Sequence, residues 1–73
     1  MHKLIIELPA EDARIVSQRL KTLPATIAVG ETTIDQKNTK VAFIPVETQK
    51  TQAELEKWLW RTPNIDFFGV ALA

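Results

Sequence analysis

The sequence predicts one small α+β domain in which a strand, a helix, two strands, a second helix and a last strand follow in that order. Short apolar or β-branched runs alternate with two stretches that carry apolar residues at helical spacing. Each helical stretch ends at a residue followed by proline, which disfavours helical dihedral angles. A chain of 73 residues can build only one core, so we expect a single domain over residues 1–73.

The composition is that of a folded globular chain, with 45% hydrophobic and 25% charged residues. The chain has no cysteine, which excludes disulfides and thiolate metal sites and fits a cytoplasmic location. Glu7 interrupts the first apolar run and predicts no export signal. No run approaches the roughly 20 apolar residues that cross a bilayer, so we expect no membrane association.

The first strand is predicted over residues 3–8 and the first helix from Pro9 onward. Proline and the acids Glu11 and Asp12 are typical of a first helical turn. An apolar stripe then predicts one buried helix face that ends at Leu23, before Pro24: Ala13, Val16, Leu20 and Leu23. The first strand divides its side chains between two faces, with Leu4, Ile6 and Leu8 on one and Lys3, Ile5 and Glu7 on the other.

The middle of the chain predicts a hairpin. Residues 25–34 form its first strand with a candidate bulge at Gly30, residues 35–38 form the turn, and residues 39–46 form the second strand. Pro45 lacks a backbone N–H, so we expect it at the end of that strand or at a bulge.

The second helix is predicted to begin after Thr51, because Thr51 and Glu54 have the spacing of a capping box. Leu55, Trp58 and Leu59 share one face, and the helix is expected to end near Arg61, before Pro63. Residues 64–73 are dense in apolar side chains and predict the last strand.

This order of elements is that of the split βαβ fold, a ferredoxin-like βαββαβ plait. Right-handed crossovers place both helices on one face of a four-stranded antiparallel sheet and leave the other face open. We therefore expect the open face to be the surface that carries function.

Both faces of the predicted sheet are apolar, although two helices can cover only one of them. The preferred phase buries Leu4, Ile6, Ala42, Ile44 and Phe68 and exposes Ile5, Val41, Phe43 and Phe67. The opposite phase would exchange Val41 and Phe43 for Ala42 and Ile44. An exposed apolar patch of several hundred Å² commonly marks a protein interface, whereas the alternative is that neighbouring side chains fold over part of it.

Trp60 and Arg61 are a second candidate partner-binding feature at the end of the second helix. Helical phase places Trp60 away from Leu55 and Leu59, and both residue types are enriched at interface hot spots. The alternative is that Trp60 packs back onto the sheet edge.

No residue cluster predicts a reaction, a metal site or a cofactor. His2 is the single histidine, so no histidine pair is available for zinc and no base is placed beside a nucleophile. The two glycines do not form a phosphate loop. Nine basic and nine acidic side chains give zero net charge, which disfavours a nucleic-acid partner. We therefore expect that the protein is not an enzyme.

The segment from Ala42 to Val46, together with Leu4 to Ile6, resembles the RNA recognition motif. That family stacks single-stranded RNA on aromatic residues of the open face, at positions that fall here on Ile5, Val41 and Phe43. Two of these three are aliphatic, so the resemblance implies a degenerate, protein-binding version. The chain is also similar to the NapD chaperones, which hold a signal peptide, in its histidine before the first strand and its third strand ending in Val46-Glu47.

The sequence thus predicts a non-catalytic protein-binding module, a small adaptor, inhibitor or chaperone-like protein that uses the open face. This prediction includes self-association of the module as a homodimer. A single-stranded RNA binder and a phage-type inhibitor of a host complex are the alternatives. The candidate partner-binding residues are Ile5, Val41, Phe43, Phe67, Trp60 and Arg61.

Overall fold

The computed structural model describes residues 1–22 and 27–73 and confirms the α+β class. It contains five strands and two α-helices in the described residues, with a short 3-10 turn at Ala10–Asp12 ahead of the first helix. Leu23, Pro24 and the predicted start of the second strand at residues 25 and 26 lie outside the described residues. The elements are β1 His2–Pro9, α1 Ala13–Thr22, β2 Ile27–Val29, β3 Thr33–Ile34, β4 Val41–Thr48, α2 Gln52–Arg61 and β5 Gly69–Leu72.

The described strands form one antiparallel sheet around a central pair, β1 and β4. The strands lie in the order β2, β4, β1, β5, and β3 also pairs with β4. β1 and β4 are paired over their full length, from His2 opposite Thr48 to Pro9 opposite Val41. The sheet therefore has five strands instead of the expected four, because the second predicted strand is divided into β2 and β3.

The core lies on one face of this sheet. Alternate residues of β1 are buried and stand opposite alternate residues of β4, as in the pair Ile6 and Ile44. The buried residues of both helices belong to the same cluster, so α1 and α2 cover this face together. The cluster contains Leu4, Ile6, Leu8, Ala13, Val16, Leu20, Ala42, Ile44, Val46, Leu55, Leu59, Phe67 and Val70.

The division between β2 and β3 coincides with Pro45 of β4. Between the pairs Val29–Val46 and Thr33–Phe43, the edge segment has one residue more than β4. The Gly30 N–H donates to the Pro45 carbonyl at 2.7 Å, so the backbone groups of Pro45 face β2 and its missing N–H leaves the β1–β4 pairing intact. Pro45 thus lies inside β4 and not at its end. Of the two expected positions, the strand end is wrong, and the extra residue opposite Pro45 agrees with a bulge.

Helix α2 begins at the predicted capping box. The Glu54 N–H donates to Thr51 Oγ1 at 3.2 Å, and the Thr51 N–H donates to Glu54 Oε1 at 3.0 Å. Two backbone donors at the helix start are satisfied in this way. Gln52, the first residue of α2, reaches the edge of the sheet and donates from Nε2 to the Val70 carbonyl of β5 at 2.6 Å.

The last strand is shorter than predicted, because only Gly69–Leu72 of residues 64–73 pairs with β1. Asn64 has a left-handed backbone, with φ of 66°, which turns the chain after α2. Phe67 is 8% exposed and Phe68 is 59% exposed. The predicted phase of these two aromatic residues is therefore wrong: Phe67 enters the core and Phe68 faces solvent.

Among residues 1–22 and 27–73, no helix has the length and apolar character needed to span a bilayer.

We predict that Gly30→Ala destabilises the fold by about 1–3 kcal/mol, the usual cost of overpacking. A Cβ at Gly30 would lie 2.9 Å from Pro45 Cγ and 3.1 Å from the Pro45 carbonyl oxygen. Urea denaturation measures the change. The matched control is Gly69→Ala, whose Cβ would meet nothing within 4 Å. Equal stability of the two variants would contradict the close approach, and Pro45→Ala should reduce the penalty at Gly30.

We predict that Thr51→Ala lowers the free energy of unfolding by about 1 kcal/mol, because it removes the helix cap. Thermal unfolding measures it, with Thr39→Ala in the exposed turn before β4 as the control. A loss no larger than that of the control would argue against the cap as a source of stability.

The capping box also predicts that the fold loses stability at acidic pH. The hydrogen bond from the Thr51 backbone, followed by that from its side chain, lowers the pKa of Glu54 below its ordinary value of 4.5. Because the pKa of Glu54 is lower in the folded protein, its ionised carboxylate stabilises the fold above pH 4.5. This contribution is lost as the pH falls through the folded-state pKa. The free energy of unfolding, measured from pH 7 downward, should fall less steeply in Glu54→Gln than in the wild type. The same pH dependence in both proteins would exclude this role of Glu54.

Candidate functional site: the open face of the sheet

The face opposite the helices is called here the open face, and the register of the sheet defines its members. Odd-numbered residues of β1 stand opposite odd-numbered residues of β4, and their neighbours on the outer strands share the same side. Its residues are Lys3, Ile5, Glu7, Pro9, Ala28, Thr33, Val41, Phe43, Pro45, Glu47, Gly69 and Ala71.

Three of the candidate partner-binding residues lie together on the open face. Ile5, Val41 and Phe43 are each partly buried, in contrast to the fully buried residues that alternate with them on the core face. Ile5 stands opposite Pro45, and Phe43 stands between Glu7 of β1 and Thr33 of β3. The preferred phase of β1 and β4 correctly predicts that these alternating residues are buried: Leu4, Ile6, Ala42 and Ile44.

A shallow groove of about 270 Å³ crosses one end of the open face. Small residues contribute to its lining, because Ala28, Gly30 and Ala73 lie beside Pro45 and present little more than backbone. The Ala73 N–H donates to the Lys3 carbonyl at 3.1 Å and continues the β5–β1 pairing beside the groove. The groove is apolar and open to solvent, so it can receive apolar side chains of a partner.

Lys3 and Glu47 form an ion pair at the rim of this groove. Lys3 Nζ lies 3.9 Å from Glu47 Oε1, and the two side chains are 75% and 50% exposed. An exposed pair of this kind contributes little to stability. It instead gives that end of the open face a neutral, polar border.

The remaining candidate residues belong to the helical layer. Trp60 lies on α2 and is 68% exposed, yet its ring packs against Phe67 with centroids 5.1 Å apart and planes at 58°. Arg61 is exposed beside it. The structure therefore separates Trp60, Arg61 and Phe67 from the open face, and the assignment of Phe67 to that face is wrong.

Sequence reasoning left Glu7 out of the candidate partner-binding residues, and it missed Pro45 and the small residues of the groove as members of this surface. The alternation of β1 already placed Glu7 on the side of Ile5, which is a signal that could have been used. The contribution of Ala28 and Gly30 could not be read in the same way, because it depends on the pairing of β2 with β4.

Within the described part of the chain, no group of three or more histidine or acidic side chains is close enough to hold a metal ion.

A scan against protein-family models, a search of curated proteins and a search of solved structures each find no match to this chain.

We predict that Phe67→Ala costs about 3–5 kcal/mol, as expected for a buried phenylalanine. The matched control is Phe68→Ala, which should change stability by less than about 0.5 kcal/mol because Phe68 is exposed. Denaturant titration of the two variants measures the difference. A larger loss at Phe68 would reverse the assignment of these neighbours to core and solvent.

Proposed function

We propose that this protein is a non-catalytic protein-binding module that uses the open face of its sheet. The observation that carries the proposal is the cluster of Ile5, Val41 and Phe43, which lies on the face opposite both helices. Apolar side chains on an uncovered sheet face favour binding of another protein, because covering them removes apolar surface from water.

The proposal includes a ferredoxin-like plait as the scaffold. We infer that β2 and β3 are two parts of one strand, interrupted by the extra residue opposite Pro45. With that reading, the order β2, β4, β1, β5 becomes second, third, first and fourth strand. This order supports a βαββαβ plait with one bare face, the architecture in which such a surface is available for binding.

The charges of the open face favour a protein partner over RNA. Lys3 is its one cation, and it is already paired with Glu47. Glu7 and Glu47 would oppose phosphate groups, which supply most of the affinity of nucleic-acid binders. The aliphatic Ile5 and Val41 also give RNA bases no aromatic ring on which to stack.

We predict that Phe43→Ser weakens partner binding about tenfold or more, because a central aromatic contact is removed. The measurement is capture of interacting proteins from the source cells by immobilised protein, with sedimentation velocity to detect self-association. Ile15→Ser is the control, since Ile15 is an exposed apolar residue on α1. Circular dichroism verifies that both variants fold.

Capture and self-association that are the same for wild type and Phe43→Ser would contradict the proposal. Titration with mixed-sequence RNA at low salt tests the alternative. Binding of RNA that depends on Phe43 would replace the protein-binding function by an RNA-binding one.

A further inference from the structure

A single carboxylate lies in the middle of the apolar surface on the open face. Glu7 is partly buried and stands between Phe43 of β4 and Gly69 of β5, and Ile5 is two residues away on the same side of β1. Cross-strand neighbours lie about 4.5–5.5 Å apart at Cβ. A partner that covers Ile5 and Phe43 must therefore cover Glu7 as well.

Glu7 has no partner of opposite charge in the described part of the chain. The ion pair found there joins Lys3 to Glu47, and the Glu7 carboxylate accepts no hydrogen bond from the described residues. Covering this carboxylate without a compensating charge would be strongly unfavourable.

We propose that the partner is a protein segment that places a lysine or arginine side chain on Glu7 and apolar side chains on Phe43, Ile5 and the adjacent groove. This inference rests on the proposed function and specifies the chemistry of its ligand. The groove lined by Ala28 and Gly30 is apolar and would receive an aliphatic side chain, while Glu7 would select for the basic one. The apolar contacts supply most of the affinity and the charge pair supplies the specificity.

A second copy of this chain fits the open face poorly. A symmetric face-to-face pair would bring two Glu7 carboxylates under the same interface, since a twofold contact uses the same patch on both subunits. The cation of the open face, Lys3, is at the groove end and already paired with Glu47. Like charges placed together in this way oppose association.

The test is a selection of random linear peptides on immobilised protein, with three variants compared with the wild type. Glu7→Lys reverses the charge, Glu7→Gln removes it, and Glu56→Lys makes the same change of net charge on the partly buried Glu56 of α2. Wild type and Glu56→Lys should enrich apolar peptides that contain lysine or arginine. Glu7→Lys should enrich apolar peptides that contain aspartate or glutamate.

Fluorescence anisotropy with one enriched basic peptide then measures affinity. We expect a loss of about tenfold or more in Glu7→Gln and a larger loss in Glu7→Lys. Phe43→Ser should lose binding of every selected peptide.

The outcomes separate the two proposals. Wild type and Glu7→Lys selecting the same peptides, with binding lost in Phe43→Ser, would overturn the role of Glu7 and leave the proposed function standing. A wild-type dimer that Phe43→Ser dissociates would identify a second copy as the occupant and would also overturn this inference. Failure of the wild type to retain any peptide or protein would contradict both.

Discussion

The pairing of β1 with β4 is the constraint on which the rest of the structure depends. Every other strand is attached to one of these two, with β5 on β1 and β2 and β3 on β4. Because side chains alternate along each strand, this one register decides which residues meet the helices and which remain on the open face. A slip by one residue would place Glu7 in the core and Ile6 in water.

The parts of the fold that sequence could predict are those governed by local rules. The alternation of β1 and the capping box at Thr51 need only the spacing of residues within one segment. The predicted faces of Phe67 and Phe68 are wrong because residues 64–68 are not a strand. The alternation of side chains between two faces therefore does not apply to them. The left-handed Asn64 and the contact of Phe67 with Trp60 determine that segment instead.

Local spacing rules also explain which residues of the candidate site could be predicted from the sequence. Ile5, Val41 and Phe43 follow from the phase of two regular strands and lie together. The groove required knowledge of which strand lies beside which, because Gly30 and Pro45 meet only through the β2–β4 pairing. The effect of a proline in an inner strand is likewise a tertiary matter, since it depends on which neighbour the missing donor would have faced.

The hydrogen bond from Gln52 to the Val70 carbonyl affects how the sheet ends. Val70 lies on the outermost strand, where an unsatisfied carbonyl would act as a template for a strand of another molecule. Helix α2 occupies that acceptor with its own first residue, and the extra residue between β2 and β3 disrupts the opposite edge. Polymerisation through the sheet margins is therefore opposed at both ends, and edge-to-edge growth into fibres is disfavoured.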